Sequence, residues 1–237
     1  MHREHVRWHS PSLGRDMDLL HFGHAGAPIL VFPSSMGRFY EWEDFQMIDA
    51  VADKIEQGHN QIVCLDSVDA ESLYNKQASP HDRIRRHQQY EAYVTNEALP
   101  FVRHRAGGMA PMLAGASFGG YHAANLFFKH PGTFAGLLSL SGAYDIKTML
   151  DGLQNDDVYY SCPSDFVPNI TDERTLDAFR RARIVLTSGE FDPCRGPNDH
   201  LAHVLAVKGV PVTYDYAPGQ FAHDWPWWRS QIARHIA

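Results

Sequence analysis

Six short apolar runs punctuate the chain: "APILVFP" (27–33), "QIVCLD" (61–66), "PMLAGA" (111–116), "FAGLLSLSGAY" (134–144), "RIVLTSGEFD" (183–192) and "VPVTYDYAPG" (210–219). Each has the length of a strand. Their apolar positions are consecutive rather than alternating, the pattern of a strand covered on both faces. Between them lie stretches of helical period. "FQMIDAVADKIEQG" runs from Phe45 to a stop at Gly58, a long amphipathic segment covers Pro80 to Arg105, and "YHAANLFFKHP" ends at Pro131. Ahead of these, "HVRWHS" and "RDMDLLHFGH" flank the turn signal "PSLGR", which predicts an antiparallel hairpin. Strands alternating with helices predict an α/β fold: a mostly parallel central sheet with helices on both faces, preceded by that hairpin. No repeat, low-complexity tract or linker divides the chain, so residues 1–237 read as a single domain. The polar, aromatic stretch at 151–170 lacks a period and reads as a small cap-like insertion on the substrate side.

Composition narrows the field. The 237 residues are 44% hydrophobic and 21% charged, which suits one globular domain with a large core. A net charge of −7 is the wrong sign for a nucleic-acid binder. The cluster Arg83, Arg85, Arg86 and His87 reads as a solvated helix face. Cys64, Cys162 and Cys194 form no C-x-x-C pair and give no disulfide framework. Fifteen histidines, with His2, His5 and His9 the tightest group, show no metal-ligand spacing, and no metal site is expected. The N-terminus lacks the apolar core of a signal peptide, and no run approaches the ~18 apolar residues of a membrane span. A soluble, cytoplasmic protein with no membrane partner is the expectation.

In parallel sheets of this kind, functional groups gather in loops at the carboxyl ends of the strands. The third core strand runs directly into "GASFGG" and then into a helix. That is the context a nucleophile elbow requires: a serine at strained backbone angles, crowded enough to demand small neighbours. Gly115, Gly119 and Gly120 supply them around Ser117. The helix that follows aims its free N–H groups at the same point, and the N–H of Phe118 is placed to serve an oxyanion hole. A serine hydroxyl needs a histidine base, and the histidine needs a carboxylate. Both should follow in the order acid, then histidine, after later strands. Asp192 and His223 occupy those places. Glu190, Asp199 and Asp224 are alternative acids, with Glu190 the nearest rival. His200 and His203 are alternative bases, read as helix-surface groups. Aromatic residues collect in the same loops. Tyr40, Trp42 and Tyr121 are candidates for a substrate pocket, whereas Trp225 and Trp228 have the spacing of core residues on a last helix.

"GASFGG", "SGEFDP" and "HDWPWW" resemble the putative esterase family of α/β-hydrolases, and the resemblance extends from about residue 25 to the end. That family includes S-formylglutathione hydrolases, feruloyl and acetylxylan esterases, enterochelin esterases and mycolyltransferases. The resemblance implies the α/β-hydrolase fold. It also implies a carboxylic ester hydrolase with Ser117 as nucleophile, Asp192 as acid and His223 as base, working through an acyl-enzyme without metal or organic cofactor. The substrate it implies is a small-molecule or glycan-linked ester. The family's second oxyanion donor lies after the first core strand, in an Asp-Gly-Leu or Ser-Gly-Leu loop. Here that loop reads Pro33-Ser34-Ser35, so position assigns the donor to Ser35, with Met36 as the alternative. Two other readings share the fold: an acyltransferase using the same triad, and a non-catalytic binding protein.

Overall fold

The computed structural model describes residues 1–236. Eight strands make one sheet in the order β1-β2-β4-β3-β5-β6-β7-β8. They are β1 (Arg3–Ser10), β2 (Arg15–Phe22), β3 (Ala27–Phe32), β4 (Asn60–Leu65), β5 (Met112–Ala116), β6 (Gly136–Leu140), β7 (Arg183–Gly189) and β8 (Thr213–Ala217). β1 and β2 form the expected antiparallel hairpin, in register from Arg3 opposite Phe22 to Ser10 opposite Arg15. Gly14 closes the turn at φ 63°, where a left-handed residue is needed. β2 joins β4 antiparallel, and from β4 to β8 every pairing is parallel.

Among the described residues nine α-helices lie between the strands and a tenth follows β8: α1 (Glu41–Asp44), α2 (Ala52–Glu56), α3 (Pro80–Tyr93), α4 (Leu99–Arg105), α5 (Phe118–Lys129), α6 (Asp156–Tyr159), α7 (Pro163–Phe166), α8 (Glu173–Arg181), α9 (Arg195–Val207) and the last, α10 (Trp225–His235). They cover both faces, and β3 shows why its sequence is apolar throughout. Leu30 and Phe32 enter the core shared with α3, α4, α5, α8 and α9. Ile29 and Val31 enter the other, shared with α2 and α10. A strand with a period of two that is buried on both faces needs no polar position.

The helical period was followed closely in some segments and not in others. Between Phe45 and Gly58 only α2 and a 3₁₀ turn at Asp49–Val51 form, because Gln46 turns left-handed at φ 61° and breaks the run. From Pro80 to Arg105 the chain is helical throughout, but widens into a π turn at Val94–Ala98 just ahead of Pro100. A proline ring cannot fit the preceding turn of a regular α-helix, and a π turn makes room for it. The basic cluster on α3 is not a solvated face. The side chains of Arg83 and His87 are each 1% exposed. Arg83 donates to the Met149 carbonyl and to Asp151, and His87 meets Tyr121 and Glu91. Both face the body of the molecule. Arg85 alone of the group stands well clear, at 68%. The segment 151–170 folds as α6, α7 and a 3₁₀ turn. It is anchored by Phe166 and Val167 in the main core and by Val158 and Cys162 packed with Phe118 and Tyr121.

Candidate active site

β5 ends at Ala116 and α5 begins at Phe118, leaving Ser117 alone between them at φ 54°, ψ −116°. A non-glycine residue there is strained by roughly 1–3 kcal/mol and persists only where its surroundings hold it. Three glycines permit the crowding. A Cβ on Gly115 would collide with the Gly119 backbone. One on Gly119 would lie 2.5 Å from the Pro33 carbonyl oxygen and closer still to that of Phe32. One on Gly120 would lie 2.6 Å from Ser139 Oγ. The first backward helical bond of α5 is Tyr121 N–H to the Ser117 carbonyl. The N–H groups of Phe118, Gly119 and Gly120, in the first turn of α5, have no backbone acceptor among the described residues.

Ser117 Oγ lies 3.1 Å from His223 Nε2, and His223 Nδ1 lies 2.9 Å from Asp192 Oδ1. The three residues come from the loops after β5, β7 and β8, 106 and 31 positions apart along the chain. Asp192 is buried to 5% exposure. Burial alone would raise its carboxyl, but hydrogen bonds from His223 and the Cys194 N–H outweigh that and hold it below the usual aspartate range. Ser188 Oγ adds a donor at 3.0 Å and Cys194 N–H one at 2.8 Å. The rival acids are engaged elsewhere. Glu190 accepts from the Gly219 N–H, Asp199 from Tyr214 and Arg195, and Asp224 caps α10 through the Trp227 N–H. His200 and His203 stand exposed on α9. Asp192, Cys194 and His223 are the only set of three metal-capable side chains among the described residues, their donor atoms within 4.8 Å of one another. A cation there would take the very atoms that join His223 to Asp192.

The histidine loop is held by residues that the sequence did not single out. Ala222, just before His223, is left-handed at φ 52°, and so is Ser141, just past β6, at φ 53°. Ser141 Oγ donates to the Ala222 carbonyl at 2.6 Å and accepts from Trp228 Nε1 at 3.1 Å. The available signal was positional. Ser141 follows its strand end as Ser117 follows its own.

The loop after β3 is built on acids. Glu41 accepts from both the N–H and the hydroxyl of Ser34, each at 2.7 Å. The fully buried Asp66 carboxylate takes Arg38 in a bidentate pair at 2.6 and 3.0 Å, and the Phe39 N–H. Asp69 accepts the Met36 N–H at 3.0 Å. That bond uses up the alternative donor, whereas the Ser35 N–H has no acceptor among the described residues. Of the three proposed pocket aromatics, Tyr40 is 41% exposed at the surface. The other two are corrected by their packing. Trp42 is 1% exposed within the core formed with α10, and Tyr121 is fully buried with its hydroxyl shared between His87 and the Ser161 carbonyl. A side chain spent on the core cannot line an open pocket. Phe191 and Phe221, on the loops that carry Asp192 and His223, are instead 63% and 54% exposed, and Met36 is 50%. Trp228 lies in the core as its spacing predicted, while Trp225 is stacked on Phe45 at 4.2 Å.

The strand order, the parallel pairing and the strained serine define an α/β-hydrolase fold. The profile of the family described as "Putative esterase" matches residues 10–237; the chain belongs to that esterase family and is a carboxylic ester hydrolase. Among solved structures it is similar to a ferulic acid esterase (TM-score 0.80, 17% identity, covering 99% of this chain and 96% of that one). It is also similar to an S-formylglutathione hydrolase from Staphylococcus aureus (0.70, 14%, 99% and 95%) and to MPT51 (FbpC1) from Mycobacterium tuberculosis (0.70, 16%, 99% and 96%). At these identities the likeness is one of fold. No curated protein sequence matches the chain. No helix among the described residues is long and apolar enough to cross a membrane.

Proposed function

We propose that the protein is a serine hydrolase that cleaves a carboxylic ester through Ser117, His223 and Asp192 and an acyl-enzyme intermediate. The observation that carries this reading is the unbroken chain from Ser117 Oγ to His223 to Asp192, at 3.1 and 2.9 Å, on a serine at φ 54°. His223 takes the Ser117 proton as Oγ attacks the ester carbonyl, and Asp192 stabilises the resulting imidazolium and fixes its tautomer. The N–H groups of Phe118 and Ser35 hold the tetrahedral oxyanion. His223 then protonates the departing alkoxide, and water, activated by the same ring, releases the acid. The substrate is a small-molecule or glycan-linked ester approaching past Tyr40, Met36, Phe191 and Phe221, with residues 151–170 as a small insertion within a single domain.

The test is hydrolysis of short p-nitrophenyl esters together with mass-spectrometric mapping of a fluorophosphonate adduct. Hydrolysis that Ser117→Ala abolishes, with the adduct on Ser117, is the expected result. Retention of turnover by that variant, or an unmodified Ser117 in the wild type, overturns it.

A further inference from the structure

The family places a glycine in the oxyanion loop, and this chain has Ser34-Ser35-Met36 instead. Without glycine, something else must fix the backbone. Met36 is left-handed at φ 60° and half exposed, a conformation that its own side chain does not favour. One short segment, Asp69–Tyr74, touches the loop on both sides of the Ser35 N–H. Asp69 Oδ2 accepts the Met36 N–H at 3.0 Å. Tyr74 Oη donates to Ser35 Oγ at 2.7 Å. The segment is itself closed, because the Asp69 carbonyl accepts the Tyr74 N–H at 3.1 Å and the Ser72 N–H at 3.2 Å.

The same segment reaches the nucleophile's helix. Asp69 Oδ1 lies 3.0 Å from His122 Nε2, with both side chains at most 2% exposed. His122 is one helical turn past Phe118, and their rings meet edge to face at 4.8 Å. The Tyr74 ring packs edge to face on Phe118 at 5.2 Å. One buried carboxylate thus ties the loop carrying one donor to the helix carrying the other.

Resting on the serine-hydrolase reading above, we infer that Asp69 and Tyr74 form a two-point clamp that positions the Ser35 N–H as the second oxyanion donor. Both are positioning residues and neither touches substrate. The clamp does the work of the missing glycine. It stabilises a left-handed Met36, occupies that residue's N–H, and leaves the Ser35 N–H as the free donor. A donor shifted by about an ångström is worth little to an oxyanion and costs on the order of a hundredfold in rate.

The experiment compares wild type, Asp69→Asn and Tyr74→Phe. Asparagine keeps the shape of Asp69 but cannot accept at both ends, and phenylalanine removes one half-buried hydroxyl at the surface. Steady-state kinetics on a p-nitrophenyl ester are read beside the affinity of a boronic acid, which forms a tetrahedral adduct with the serine. The clamp predicts a kcat lower by about tenfold to a hundredfold in each variant, a KM within about twofold, and boronate affinity falling in step with kcat/KM. A purely structural role would lower the melting temperature and leave boronate affinity uncorrelated with turnover. Folded variants with wild-type kcat overturn the clamp. Should Asp69→Asn fail to fold, Tyr74→Phe decides alone. A wild-type protein that forms no fluorophosphonate adduct on Ser117 is a different result, and it overturns the serine-hydrolase reading on which the clamp rests.

Discussion

Replacing Gly119 with alanine tests whether the approach of α5 to β3 builds the site. The added Cβ would sit 2.5 Å from the Pro33 carbonyl oxygen and nearer still to that of Phe32, at least half an ångström inside the 3.0 Å below which such carbons essentially never lie. Neither neighbour is a side chain that can swing away. Both are backbone at the end of β3, and the oxyanion loop starts there. The strand end or the first turn of α5 must therefore move. Overpacking of this kind costs about 1–3 kcal/mol, and for a chain of this size about 2 kcal/mol lowers the melting temperature by roughly 4–8 °C. The displaced groups are also the ones that set Ser35 against Phe118, so kcat should fall by on the order of a hundredfold. Gly196 on α9 is the control, because nothing lies within 4 Å of where its Cβ would be. Alanine there should stabilise by about 0.5–1 kcal/mol and leave kcat alone. Thermal unfolding by circular dichroism and turnover of p-nitrophenyl acetate give both readouts. A Gly119→Ala protein with wild-type melting temperature and turnover would refute the reasoning.

Three further outcomes follow from the same geometry. Asp192→Asn should lower kcat by on the order of 10³–10⁴ through loss of the imidazolium's partner, while Glu190→Gln, whose carboxylate meets Gly219 instead, should leave ester turnover unchanged; equal losses would mean that the acid is misassigned. Ser141→Ala should cost about 1–3 kcal/mol, because the Trp228 N–H is left buried without its acceptor, and should slow turnover by loosening Ala222 ahead of His223; a chemical-denaturation series and kcat measure the two effects. Burial alone would raise the Glu91 carboxyl, but the His87 ring and the Lys129 ammonium draw it down from 4.5 to about 2. The folded state thus holds that proton less tightly than the unfolded state, so the contribution to stability is complete above about pH 4.5 and is lost as pH falls toward about 2. Urea midpoints across that window should fall more steeply for wild type than for Glu91→Gln, and parallel curves would contradict the assignment.

The groups proposed to carry the chemistry were readable as candidates because each lies after a strand whose apolar run is itself readable. Ser117 follows β5 directly, Asp192 and His223 lie in the loops after β7 and β8, and the order of the chain fixes the order of the residues. What was not readable depends on which way a side chain faces after the fold has closed. Trp42 and Tyr40 are two residues apart, yet one is core and the other surface. Arg83 and Arg85 are likewise two apart on α3, one buried against the Met149 carbonyl and the other in solvent. Periodicity says that two faces exist. It does not say that a basic face will be covered by residues 149–162. Asp66 and Asp69 were invisible for another reason. Their partners, Arg38 and Met36, lie about thirty residues earlier, and no local pattern links them.

The site divides by rigidity. The groups proposed to react sit on or beside backbone that is least free: Ser117, Ser141 and Ala222 are all left-handed, each costs strain, and the last two are tied to each other by a single 2.6 Å hydrogen bond. Such positions hold the Ser117 oxygen and a His223 ring nitrogen 3.1 Å apart without waiting for substrate, which in the proposed reaction lowers a barrier rather than merely improving binding. The exposed apolar residues, Met36, Phe191 and Phe221, occupy the loops between those fixed points. Met36 stands next to the proposed donor, Phe191 next to Asp192, and Phe221 two residues before His223. Changing them alters the surface that an acyl or alcohol group meets without moving the atoms that react. Choice of ester should therefore follow these three side chains through KM, and the rate of bond cleavage should follow the buried carboxylates and hydroxyls behind them through kcat.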